Sequence, residues 1–385
     1  MVLKKIISII SIILSILTIA CQADDAATTG VESDLHETTD PAISNSTGTT
    51  QSFENAVSLD DDFMTDDERS SAGKGATTLV KKLPDAENAF FTRSGRLFIT
   101  GGNAVYEITG EDSSVRIFYD STGIFGGMAQ SGKWLYVVYA TMKDSMSAVD
   151  LNSFIATGDF SSLTDIFLKK TVIRADLSLA AEDMVFEEVC VLGDVFLPNG
   201  MAADSDGNIY ITDGPFLPKG QIIRLVITDP VKPVVKQEPW LTYKDGAYSP
   251  NGIVIRDNVV YFTDFVMASA KSAQVKKVPI VNGRPGTVET IYSAAGLFDD
   301  LDAGIYRNTP VLVVADYAGN SIILVSPSGG TGMKIYSSML SSPSSVHFGT
   351  GVLFDTNELI ITEKGLLYDY YSTLGNRVDL MTLPE

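Results

Sequence analysis

Short apolar runs, broken by Gly, Asn and Asp, recur along most of the chain, and long helical periodicity is scarce. The clearest unit starts at Pro198-Asn199-Gly200-Met201, turns at Asp206-Gly207-Asn208 and continues as Ile209-Tyr210-Ile211-Thr212-Asp213. A polar loop, an apolar strand, a tight turn and a second strand make hairpin chemistry. The unit returns at Pro250-Asn251-Gly252-Ile253, which leads through Asp257-Asn258 to Tyr261-Phe262-Thr263-Asp264. Weaker copies begin at Glu87-Asn88-Ala89-Phe90, Gly126-Gly127-Met128, Asp299-Asp300-Leu301 and Ser344-Ser345-Val346. Each precedes a β-rich run, such as Val311-Leu312-Val313-Val314-Ala315-Asp316 or Glu358-Leu359-Ile360-Ile361-Thr362-Glu363.

The six copies open at 87, 126, 199, 251, 299 and 344, in steps of 39, 73, 52, 48 and 45 residues. All but the second step fit the ~40–50 residues of a four-stranded propeller blade. The predicted fold is therefore all-β, a six-bladed β-propeller over residues 77–385. A β-sandwich is the competing reading, but it gives no reason for the same loop six times. Residues 77–83 read as a short strand that completes the last blade, which closes the ring and removes its open edge. The long second step holds a stretch without repeat character, 150–179, read as an insertion on one face.

Residues 1–76 change the picture, because they do not read as propeller. Lys4 and Lys5 precede an apolar run from Ile6 to Ile19, the pattern of a signal peptide over residues 1–21. The run is short for a membrane span. Leu17-Thr18-Ile19-Ala20-Cys21 resembles a bacterial lipoprotein lipobox, which makes Cys21 the expected lipidation site and the cell envelope, outer membrane or surface, the expected location. Residues 22–76 hold 13 acidic residues against Arg69 and Lys74, about −11 of the chain's −20. Such a segment buries too little apolar area to offset its ordering entropy, and is expected to be a disordered tether. The acidic balance argues against nucleic acid, and a monomer is expected.

Candidate chemistry concentrates in the loops. The start of each innermost propeller strand faces the central channel, so six loops bring together Glu87, Gly126, Asn199, Asn251, Asp299 with Asp300, and Ser344. Their donors are hard oxygens, suited to calcium, with other divalent ions possible. The plain alternative is that Pro-Asn-Gly is only a turn signal. Cys190 lies in apolar alternation and reads as core rather than nucleophile. His347 is the single histidine after residue 36, and no orienting motif makes a triad of it with Ser344 or Ser345.

These residues, in this order, resemble the senescence marker protein, gluconolactonase and paraoxonase-like superfamily of six-bladed propellers. The resemblance spans roughly 84–375. It implies that Glu87, Asn199, Asn251 and Asp299 hold a calcium ion; counting back from Asp316 instead makes Asp302 the reserve fifth-blade ligand. It implies a calcium-dependent hydrolase of a lactone or ester substrate, with Asp299 and Asp300 as candidate catalytic carboxylates. The family's sugar-acid lactonases carry an Arg just before the third-blade Asn. Phe196-Leu197-Pro198 stands there instead, which removes that sugar-acid contact and leaves a more apolar ester equally open, and Tyr248, Phe125, Phe196 and Phe298 would line an apolar mouth. A non-catalytic binding propeller with a structural metal is the alternative. Metal-free condensing propellers of the strictosidine synthase type fit less well, because Glu87 and both Asn are retained.

Overall fold

The computed structural model describes residues 53, 56, 58–59, 63–142, 167–214, 219–229, 231–266, 269–365 and 373–385. The expected signal peptide, Cys21 and most of the tether lie outside the described residues. Nearly all regular structure is antiparallel β, in six sheets of four or five strands arranged as a six-bladed propeller. The innermost strands of blades 1 to 6 are Ala86–Phe91, Gly123–Ser131, Pro198–Ala203, Pro250–Arg256, Phe298–Tyr306 and Pro343–Phe348. Blade 6 takes its outermost strand, Thr77–Val80, from the start of the domain, where it pairs with Arg377–Thr382. The ring is thus closed by strands from both ends, as the sequence predicts.

The core is six wedges rather than one mass, one between each pair of neighbouring blades. Ile209 and Ile211 of blade 3 pack with Tyr136 and Val138 of blade 2. Tyr210, from the other face of the same strand, packs with Val260 and Phe262 of blade 4. Both faces of a blade are buried, so its second strand is apolar at nearly every position instead of alternating. This is why Ile209-Tyr210-Ile211 and Val311-Leu312-Val313-Val314 read as continuous runs.

Two expectations are corrected. Part of the supposed insertion is an ordinary blade strand: Phe167–Asp176 is the third strand of blade 2, paired along its length with Trp134–Met142. Residues 143–166 lie outside the described residues. The tether also stops short of residue 76. Asp66–Gly75 is a helix, started by a capping box in which Thr65 and Glu68 exchange backbone N–H groups. Glu68 pairs with Arg307, while Leu59 and Met64 are buried in the wedge between blades 5 and 6. Composition alone hides this docking, because three acidic residues open the helix. They are favourable there, next to the positive end of the helix dipole. Among the described residues no helix is long and apolar enough to cross a membrane.

In blades 3, 4 and 6 an acidic residue at the end of the second strand fixes the chain where it enters the innermost strand. Asp213 accepts the backbone N–H groups of Phe196 and Leu197 at 2.8 and 2.7 Å. Asp264 does the same for Tyr248 and Ser249, and Glu363 for Ser341. Glu363 is fully buried, and its Oε1 has no hydrogen-bond partner. Burial and the neighbouring Asp379 push its carboxyl up to about 8, against the Ser341 N–H and Arg377. The folded state therefore holds a proton that the unfolded chain releases near its ordinary value. Stability from this group is complete below that value and is lost as pH rises through about 8. Between pH 5 and pH 9, wild-type stability is expected to fall by at least ~1 kcal/mol more than that of Glu363→Gln. Urea unfolding across that range checks this, and parallel profiles would contradict it.

Candidate functional site

Every innermost strand carries one residue more than its partner, and always at the same level. The register shifts fall between Ala86 and Ala89, Phe125 and Met128, Pro198 and Met201, Pro250 and Ile253, Phe298 and Leu301, and Pro343 and Ser345. A bulge kinks a strand and re-aims its side chains. The six bulges contain Glu87, Gly126, Asn199, Asn251, Asp299 and Ser344, the positions singled out in the sequence. The fifth-blade ambiguity resolves on register. Asp299 follows Phe298 as Asn199 follows Pro198, whereas Asp302 lies beyond the bulge, opposite Val313.

Neighbouring bulges are in backbone contact, which explains the Gly of Pro-Asn-Gly. A Cβ on Gly200 would lie 2.5 Å from the Asn251 carbonyl oxygen, and one on Gly252 would lie 2.4 Å from Asp300. Threonines then staple blade to blade. Thr263 accepts the Gly252 N–H at 2.8 Å and donates to the Asp299 carbonyl of the next blade. Thr212 accepts from Gly200 and donates to the Asn251 carbonyl. Thr362 links blade 6 to the Glu87 carbonyl, and Thr100 links blade 1 to Gly126. Blades 2 and 5 have Val138 and Ala315 at this level and lack the staple. The threonines were visible in the sequence runs, but nothing in one strand shows that its hydroxyl reaches the next blade.

Of the expected donors, Asn251 and Asp299 are joined directly, with Asn251 Nδ2 donating to Asp299 Oδ1 at 2.6 Å. Asn251 Oδ1 is buried and has no partner. Asn199 is half-buried at the equivalent bulge of blade 3. Glu87 is drawn to a residue the sequence reading missed, Lys364, whose ammonium pairs with Glu87 Oε2. Asp299 is enclosed, and burial together with the charges of Asp300 and Asp85 holds its carboxyl well above the usual carboxylate range.

Asp300 turns the other way. Its Oδ1 accepts the Leu301 N–H at 2.8 Å, and its Oδ2 lies 3.5 Å from His347 Nε2. On the far side of the ring, His347 Nδ1 lies 3.6 Å from Asp302 Oδ2. Burial opposes charge on His347, yet the flanking carboxylates raise it to about 10. Asp300, Asp302 and His347 line a cavity of about 660 Å³ that follows the innermost strands of all six blades, the central channel. Asp302 thus stands with His347 in the channel and not in the ring of bulges. Ser344 and Ser345 bond to Thr362 and to blade 1, so neither forms a triad with His347. The Cys190 thiol is pushed up to about 11 by burial and is no nucleophile. Of the expected aromatic mouth, Phe125 and Phe298 are core, stacked on Tyr139 and Tyr292. Only half-buried Phe196 and Tyr248, 43% exposed, remain near the surface.

The donor set suits an oxygen-seeking cation. A buried amide oxygen without a partner and an enclosed carboxyl pressed by two other carboxylates both gain from a positive charge. Among the described residues no three His, Cys, Asp or Glu side chains form a metal cage, so any ion here would depend on the carboxamides as well.

No protein-family model and no curated protein matches the chain. Solved structures do share its fold. A gluconolactonase from Xanthomonas campestris is 16% identical, with 82% of this chain and 92% of that one covered and a TM-score of 0.52. The calcium-binding protein regucalcin from Agrobacterium tumefaciens is 12% identical, with 80% and 92% covered and a TM-score of 0.51. An aldose sugar dehydrogenase from Streptomyces coelicolor, in its PQQ-bound form, is 11% identical, with 79% and 96% covered and a TM-score of 0.51. At such identities the likeness shows the fold alone, and the chemistries of these neighbours already differ.

Thr263→Val removes both the acceptor for Gly252 and the donor to Asp299. It is expected to cost ~1–3 kcal/mol of stability. Chemical denaturation measures this, and a loss below ~0.5 kcal/mol would show that the staple carries little.

Proposed function

We propose that the protein is a calcium-dependent hydrolase of lactones or carboxylic esters. The observation that carries the proposal is the unpartnered, buried Asn251 Oδ1 beside Asp299, at bulge positions equivalent to those of Asn199 and Glu87. Glu87, Asn199, Asn251 and Asp299 would hold the ion through oxygen. Bound calcium would polarise the substrate carbonyl and keep Asp299 ionised.

The chain's own residues divide the remaining work. Asn251 fixes one oxygen of Asp299 by hydrogen bonding, so the other would both face the ion and take the proton of an attacking water. Asp300 faces Leu301 and His347, so it acts on Asp299 through its charge rather than as a second reacting group. Burial excludes bulk water from Asp299 and strengthens each of these interactions. Phe196 and Tyr248 offer apolar surface near the mouth, and no Arg precedes Asn199, which favours an aryl or alkyl ester over a sugar-acid lactone. The basic start, the apolar run Ile6 to Ile19 and Leu17-Thr18-Ile19-Ala20-Cys21 support an exported monomer held at the cell envelope through lipidated Cys21.

Activity of the purified protein on a panel of lactones and aryl esters tests this. Turnover is expected, abolished by EDTA, restored by calcium and lowered at least ~100-fold in folded Asp299→Asn. Turnover that survives EDTA or the substitution would contradict the mechanism. Calcium binding without any turnover would favour a binding propeller with a structural ion.

A further inference from the structure

Lys364 has no charged counterpart in blades 3 to 5. It follows Glu363, the acidic end of the second strand in blade 6, as Gly214, Phe265 and Tyr317 follow Asp213, Asp264 and Asp316 in blades 3 to 5. None of those three carries a charge. The Lys364 backbone is fixed on both sides. Its N–H donates to the Ser342 carbonyl at 3.2 Å, and the Tyr317 hydroxyl donates to the Gly365 carbonyl at 2.9 Å. Its side chain is 12% exposed, and its ammonium sits on Glu87, itself 10% exposed. An enclosed ammonium is costly unless a carboxylate receives it, and Glu87 is the one it pairs with here.

We propose that Lys364 and a divalent cation are alternative partners of Glu87. Lys364 is a tethered cation that holds the first-blade corner of the site together without the ion, and it must withdraw before the ion binds. This rests on the cation site proposed above. An ion held by a Glu87 oxygen lies about 2.3–2.6 Å from it. An ammonium hydrogen-bonded to the same oxygen lies about 2.8 Å from it. The two positive centres would then be within ~5 Å in an enclosed site, where their repulsion is weakly screened. The competition rests on this repulsion, because a carboxylate has a second oxygen to offer. Asp299, Asn251 and Asn199 stay available to the ion in either state, because none of them is bonded to Lys364. The lysine therefore weakens ion binding without abolishing it.

Calorimetric titration of calcium into the EDTA-stripped protein tests the proposal, with wild type, Lys364→Met and Lys364→Arg compared. Lys364→Met is expected to bind calcium at least about tenfold more tightly than wild type. Its melting temperature should be lower without calcium and rise further on saturation, while Lys364→Arg stays near wild type. Equal or weaker binding by folded Lys364→Met, with calcium still bound by wild type, overturns the competition and leaves the ion site standing. No binding by either protein overturns both. A wild-type measurement covers the case in which the variant does not fold. Labelling of Lys364 by an amine-acylating reagent should rise on calcium addition, relative to exposed Lys81. Unchanged labelling of Lys364 in the calcium-loaded protein would also overturn the proposal.

Discussion

One extra residue in each innermost strand, repeated six times at one level, is the constraint on which this molecule turns. Six wedges packed around an axis bring the innermost strands so close that neighbouring bulges touch through their backbones. Only Gly200 and Gly252 admit that approach where Asn251 and Asp300 press in. The threonine staples then lock bulge to bulge in four of the six steps, including those that place Asn251 and Asp299 side by side. The polar ring is therefore a product of the same packing that makes the core, and Asn251 and Asp299 are set side by side before any ligand arrives.

What the sequence disclosed follows from how local each signal is. Turn chemistry and close approach are written in the residues that perform them, so Pro198-Asn199-Gly200 and Pro250-Asn251-Gly252 could be read directly. In blade 5 three acidic residues stand within four positions, and only the pairing of Phe298 with Asp316 separates Asp299 from Asp302. Lys364 was not legible, because it meets Glu87 only where the ring closes between blades 6 and 1, 277 residues apart. The aromatic mouth failed for a related reason. Phe125 and Phe298 precede channel residues but point into wedges. The helix at Asp66–Gly75 was hidden by its charge, although Thr65 and Glu68 three residues apart are a helix-start signature.

Electrostatics gives the mouth its character. Asp85 and Asp300 press on Asp299, while Lys364 pairs with Glu87 and His347 faces Asp300. Asp299 is left with an amide for a partner, and burial with the neighbouring carboxylates holds its carboxyl well above the usual range. Such a site resists anions and gains from a further positive charge. The fold by itself does not choose among chemistries, since propellers of this shape include a gluconolactonase and a sugar dehydrogenase. Named oxygens favour a cation, and Asp299 alone carries the case for hydrolysis.

A crystal structure of the protein grown with calcium tests the central claim most directly. The account predicts one ion in the ring of bulges, held by oxygens of Glu87, Asn199, Asn251 and Asp299 at about 2.3–2.6 Å, with Lys364 turned away from Glu87. A mouth in which Lys364 still holds Glu87 and Asn251 Oδ1 meets only water would contradict it.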